Sequence, residues 1–235
     1  MTLLEISNLE KNFGRNRVLE GLNLSIRKSE VFSILGPNAS GKTTLLKIVS
    51  TIYKPTSGKV VVMGNDVQED SSSVRRCIGF VGHDSYLYPE LTAKENLDYY
   101  SKAYGIEDRG EVIKERLELV GMYHRMNDKV EEFSRGMEQR VSIARALLHD
   151  PSMLILDEPH TGLDLEAQRD FLNMIKVFVQ DRGPVLMSSH DPRDSWKISH
   201  RVGILYQGRI EHIFKTRERK YGELEKILDT IKWRI

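Results

Sequence analysis

Val31-Phe32-Ser33-Ile34-Leu35-Gly36-Pro37-Asn38-Ala39-Ser40-Gly41-Lys42-Thr43-Thr44-Leu45-Leu46-Lys47-Ile48-Val49 is the stretch whose reading decides the fold. A short, largely apolar run bounded by turn residues reads as a buried strand, and Leu45 to Val49 opens a helix. Between them the glycines let backbone N–H groups turn inward around an anion, and the unpaired N–H groups of the helix start face the same charge. Gly36, Pro37, Asn38, Ala39, Ser40, Gly41, Lys42, Thr43 and Thr44 are therefore the candidate phosphate-binding residues. Lys42 is expected to reach the β- and γ-phosphates, and the Thr43 hydroxyl to ligate Mg²⁺.

Upstream, Leu4-Glu5-Ile6 and Leu22-Asn23-Leu24-Ser25-Ile26 alternate apolar and polar around Gly14-Arg15-Asn16, which predicts antiparallel strands. Phe13, beside Gly14, is either a core residue or an aromatic placed to stack on an adenine ring. Downstream, Pro55-Thr56-Ser57-Gly58 turns into the strand Lys59 to Gly64, and a polar stretch precedes the short strand Ile78 to Gly82. Thr92 with Glu95 three residues later is a capping box. From about residue 84 to residue 149 the apolar period is helical. Val112, Ile113, Leu117 and Val120 share one stripe ended by Gly121, and a helix opened by Ser134 carries Val141, Ile143, Ala144, Leu147 and Leu148. This predicts a helical subdomain inserted into an α/β core.

The α/β pattern resumes at Met153-Leu154-Ile155-Leu156, a helix from about Leu165 to Gln180, the strand Pro184 to Ser189, and a strand pair joined at Gln207-Gly208. In the tail Leu224, Ile227, Leu228 and Ile231 form an amphipathic helical stripe behind the basic residues Lys215, Arg217, Arg219 and Lys220. Packing back on the core is the reading preferred over a partner-binding arm.

Composition narrows the functional classes. The 235 residues carry 35 Lys and Arg against 34 Asp and Glu, so no basic field favours nucleic acid or an anionic membrane. The single cysteine, Cys77, has no internal partner and the first residues lack a leader, which points to the cytoplasm. No apolar run approaches the ~20 residues of a membrane span, so a membrane role is expected through a partner.

Asp157 and Glu158 end a strand of apolar residues and precede Pro159. In a chain with a phosphate loop, Asp157 is expected to orient the waters of Mg²⁺, and Glu158, on the other side of the pleat, to orient or deprotonate the attacking water. His190 ends the next predicted strand, which in a parallel sheet brings it to the same edge, within reach of a γ-phosphate. His83, His124, His149, His160, His200 and His212 show no zinc-ligand spacing with one another or with Cys77.

Phosphate loop, Phe133-Ser134-Arg135-Gly136-Met137-Glu138-Gln139-Arg140, Leu154-Ile155-Leu156-Asp157-Glu158-Pro159, Thr161-Gly162-Leu163-Asp164 and His190 together resemble, in order and spacing, the ABC-transporter ATPase domain. The resemblance covers the chain to about Ile213. It implies an α/β fold: a P-loop NTPase core with an antiparallel β subdomain and the helical subdomain at about 84–149, followed by a C-terminal helical extension at 214–235. It also implies a Mg²⁺-dependent ATPase that binds ATP and works as a head-to-tail homodimer, or paired with a similar subunit. Transmembrane permease subunits would be separate chains and the ATPase would sit on the cytoplasmic face of the membrane; that no nucleic acid binds is the expectation from the charge balance. Residue by residue, Glu158, His190 and Lys42 match catalytic positions, and Phe13 matches the adenine-stacking aromatic. Ser134, Arg135, Gly136 and Met137 match the signature that meets the opposite subunit's ATP, Gln139 and Arg140 match the polar pair that follows it, and Asp164 matches the loop coupling the two sites.

Three departures stand out. Arg135 and Met137 alter the signature surface expected to face nucleotide. Ala39 replaces a usual glycine, a mild change if its φ is negative. His83, followed by Asp84, replaces a usual glutamine and is a further Mg²⁺ candidate. The stretch Gly82 to Ala93 resembles the haem-exporter ATPase of cytochrome c maturation. The alternatives are a generic drug or lipid exporter, a soluble ABC ATPase of DNA repair, translation or Fe–S assembly, and a nucleotide-binding module without turnover.

Overall fold

The computed structural model describes residues 1–159 and 163–231. His160, Thr161, Gly162 and residues 232–235 lie outside them.

Strands β1 (Thr2–Phe13) and β2 (Asn16–Arg27) form the expected antiparallel hairpin, with Gly14 at φ 58° supplying the left-handed turn. β3 (Val31–Leu35) is buried at every position and feeds through the glycine loop into α1 (Lys42–Val49). β4 (Ser57–Val62) and β5 (Asn65–Asp66) join the hairpin in a sheet of order β2-β1-β4-β5. α2 (Ser71–Cys77) occupies the polar stretch read as irregular. It has a single buried side chain, Val74, so no apolar stripe announces it, and its visible signal is the Asp70 N-cap.

β6 (Ile78–Val81) leads to α3 (Ala93–Tyr104), α4 (Arg109–Leu119) and α5 (Arg135–Ala146). Thr92 and Glu95 form their capping box at α3. Residues 84–92 are not helical, contrary to the sequence pattern, because Asn96 engages both the N–H and the carbonyl of Tyr88 and folds that stretch against α3. The three helices enclose a core of their own around Leu97, Ile113, Leu117, Val141 and Leu148.

The second sheet is completed by β7 (Met153–Asp157), β8 (Val185–Ser188), β9 (Arg201–Tyr206) and β10 (Arg209–Lys215), in the order β10-β9-β3-β8-β7-β6. Only β10, at the edge, is antiparallel to its neighbour. α6 (Leu165–Asp181) follows β7, and α7 (Pro192–Ile198), opened by Pro192 and capped by Asp191, follows β8. Both faces of this sheet are covered, as parallel strands require. Met153 and Ile155 pack with α1 and the first sheet, whereas Leu154 and Leu156 pack with Phe171, Ile175 and Phe178 of α6.

α8 (Tyr221–Thr230) lies back on the sheet, with Leu224 and Leu228 buried against Leu35, Val202 and Ile204. Two such leucines contribute roughly 1.5–3 kcal/mol each, which holds a helix too short to persist alone. Its basic lead-in is partly paired internally, Lys215 with Glu218 and Arg219 with Glu223.

Candidate functional site

Register, which no local pattern fixes, builds the site. Ile34, Ser188 and Asp157 are level on three adjacent parallel strands, so β3, β8 and β7 all release the chain at one edge. There the glycine loop, Glu158 and His190 come together. Gly36 is tight against the sheet: a Cβ there would sit 2.3 Å from the Leu205 carbonyl oxygen and 2.6 Å from Ser40 Oγ. Gly41, at φ 106°, is the N-cap of α1 and gives it no side-chain cap, so the first-turn N–H groups face the loop's concavity without one.

Lys42 is 6% exposed and donates through Nζ to the carbonyls of Gly36 at 2.6 Å and Pro37 at 3.2 Å. Burial pushes its pKa down, and attraction to Glu158 and then Asp157 pushes back up. The ammonium thus lies in the field of both carboxylates at the loop that would receive phosphate. Thr43 is exposed, Thr44 half-buried, and the Ser40 hydroxyl is buried without a partner.

Asp157 is 1% exposed. Its Oδ1 accepts from Ser188 Oγ at 2.6 Å, while its Oδ2 is buried with no hydrogen-bond partner. An orphaned carboxylate oxygen in the phosphate-loop site, with the Thr43 hydroxyl as a second hard donor, fits Mg²⁺. Among the described residues no cluster of three His, Cys, Asp or Glu could cage a metal, which suits an ion that brings its own waters and takes phosphate oxygens. His83 belongs to no such cluster.

Glu158 differs from its sequence reading. It lies past the end of β7 with φ 51°, so left-handed backbone, not strand pleat, sets its direction. Ser188 holds that turn by accepting the Glu158 N–H at 3.0 Å through the same hydroxyl that binds Asp157. Glu158 Oε2 lies 3.6 Å from Nδ1 of the half-exposed His190. Ser188 was invisible as a site residue; its one signal is a hydroxyl at a strand end, level with Asp157.

Ala39 is a second correction. Its φ is 62°, in the region where a Cβ is disfavoured, so the substitution for glycine is not mild. The left-handed penalty is about 1–2 kcal/mol, partly offset in a glycine variant by the entropy of its unfolded chain. Ala39→Gly is expected to raise the thermal midpoint by about 2 °C, and calorimetry showing a lower midpoint would contradict this account.

Phe13 is 45% exposed, with Tyr53 packed edge-on at 5.6 Å and Lys11 Nζ 4.7 Å from its ring centre. It is an open aromatic at the hairpin tip, and the two neighbours went unread in the sequence. Ser134 caps α5 by accepting the Met137 N–H at 3.3 Å. Met137 is half-buried, packed in part against the helical core, whereas Arg135 is exposed beside Gly136. Among the described residues no hydrogen bond or ion pair joins Ser134, Arg135, Gly136 or Met137 to the phosphate loop. Asp164 caps α6 and lies 3.5 Å from Arg140, and Gln139 donates to the Pro159 carbonyl at 3.3 Å.

The sequence pattern of the ABC transporter family matches residues 19–161. The chain is 36% identical over 211 residues to the linearmycin resistance ATP-binding protein LnrL of Bacillus subtilis, covering 88% of this chain and 68% of that one. It is 34% identical over 231 residues to the bacitracin transport ATP-binding protein BcrA of Bacillus licheniformis, covering 95% and 75%. A dimeric ATP-binding cassette in a post-hydrolysis state, bound to ADP and Pi, superposes with a TM-score of 0.84 at 30% identity, covering 92% of this chain and 99% of that one.

Proposed function

From the premise that this chain belongs to the ABC transporter family and is an ATP-hydrolysing enzyme, we propose that it drives export of antibiotic-like compounds through separate membrane subunits. The convergence of Lys42, the orphaned oxygen of Asp157 and the Glu158–His190 pair at one sheet edge carries the reading of the site. In it, Lys42 and the α1 N–H groups hold the β- and γ-phosphates, and Phe13 stacks on adenine. Thr43 and Asp157 would hold Mg²⁺, which would supply charge neutralisation at the phosphates. Glu158 takes a proton from the attacking water, and His190 donates to the γ-phosphate. Ser134 and Gly136 meet the ATP of a second, head-to-tail copy, with Asp164 at the seam between the two sites.

The names of the relatives support the drug-export half: one concerns linearmycin resistance and one bacitracin transport. The resemblance of Gly82 to Ala93 to haem exporters gains no support from them, and the generic drug exporter takes its place. No helix among the described residues is long and apolar enough to cross a membrane, which fits membrane subunits supplied by other chains. Deleting the gene from its host is expected to increase sensitivity to bacitracin or linearmycin, with resistance restored by the native gene and not by Glu158→Gln. Unchanged sensitivity to both compounds would end the antibiotic-export reading.

A further inference from the structure

Arg145, in the last turn of α5, is 9% exposed. Its guanidinium donates to the Phe80 carbonyl at 2.7 Å, and its Nε is buried without a partner. Among the described residues no carboxylate lies in ion-pair range, and burial lowers its pKa against the opposing pull of Tyr100, Tyr104 and Tyr86. Aromatic rings stand where an anion would be. The guanidinium carbon is 5.1 Å from the centre of the Tyr100 ring and 5.6 Å from that of Tyr86. Ring faces attract a cation without restoring its hydration, so an apolar side chain would fill this space at least as stably.

What the cation does is join three elements. Phe80 lies on β6, Tyr100 on α3, and Tyr86 in the segment that links the sheet to the helices. Tyr86 has φ 54°, a strained backbone for an aromatic residue that persists only where its surroundings enforce it. Tyr100 Oη donates to the Tyr86 carbonyl, Ser85 Oγ donates to Glu138, and Ser142 Oγ donates to the Ser85 carbonyl at 3.1 Å. The same segment brings His83 into a groove of about 640 Å³ with Arg135, Glu138 and Gln139, and Gln139 reaches the Pro159 carbonyl beside Glu158.

We infer that Arg145 is a positioning residue for ATP hydrolysis: clamped between Tyr86 and Tyr100, it holds the strained segment 83–88 against α5, and through Gln139 it fixes the Glu158–Pro159 turn. This rests on the reading of Glu158 as the base. The clamp leaves the phosphate loop alone, so its loss separates binding from turnover.

The test is made on the full chain with Arg145→Met, Tyr100→Phe and Tyr100→Leu. Arg145→Met is expected to keep the KM for ATP within about twofold, lower kcat about tenfold, and speed amide exchange at 83–88 about tenfold while exchange in α1 is unchanged. Tyr100→Leu removes both the ring face and the Oη bond to the Tyr86 carbonyl and is expected to repeat this pattern; Tyr100→Phe forfeits that bond but keeps the face over Arg145, so its kcat is expected to stay within about threefold of native and above that of Tyr100→Leu. Native kcat and native exchange in Arg145→Met would overturn the inference, as would an equal loss of kcat and thermal stability with exchange accelerated throughout. Should Arg145→Met not fold, equal kcat in the two Tyr100 variants overturns it. A native rate in Glu158→Gln would instead remove the underlying reading, while faster exchange at 83–88 would still establish the clamp.

Discussion

Glu158→Gln should bind ATP at least as tightly as the native chain while turnover falls by about 10²–10⁴-fold, the range a positioned general base supplies. The amide matches the carboxylate in shape, so the left-handed turn and its N–H bond to Ser188 Oγ survive. What disappears is the proton acceptor beside His190 and one negative charge from the field around Lys42. Removing that charge lessens repulsion of the nucleotide's phosphates, which is why affinity does not fall. With hydrolysis blocked, the head-to-tail dimer should accumulate in ATP and Mg²⁺ and be seen by size-exclusion chromatography. Turnover above about a tenth of native would show that the water is activated elsewhere.

Lys42→Ala should weaken ATP binding by about 100-fold or more, because charge-assisted hydrogen bonds to phosphate contribute roughly 1.5–3 kcal/mol each and the ammonium donates more than one. The loss is not of charge alone. Asp157 and Glu158 would then meet the triphosphate with no ammonium among them, so repulsion adds to the missing bonds. Folding should change much less. The side chain forgoes its bonds to Gly36 and Pro37, yet a desolvated cation is also removed. Isothermal titration and thermal unfolding separate the two effects, and unchanged affinity would displace the phosphate loop from the centre of the site.

The sequence by itself determined the elements that local chemistry dictates. The strand, glycine loop and helix around Lys42 were legible because backbone freedom at glycine and apolar burial act within a few residues. The Thr92–Glu95 capping box, the Gly14 turn and the amphipathic α8 were legible for the same reason. α2 escaped because a helix burying one side chain leaves no periodic trace. Only the tertiary structure decided what depends on neighbours distant in the chain. Level register of Ile34, Ser188 and Asp157 gave Ser188 its double hydrogen bond, and a carboxylate at φ 51° gave Glu158 its direction. The sequence assigned Val141, Ile143, Ala144, Leu147 and Leu148 to the helix opened by Ser134, yet Val141, Ala144 and Leu148 enter the helical core while Ile143 and Leu147 enter the core under α6. Helical periodicity reports that a side chain is apolar, not which of two surfaces covers it. The same limit hid Arg145, whose aromatic partners lie more than a helix away along the chain. The charge of a single arginine carries no sign of being buried until the fold closes over it.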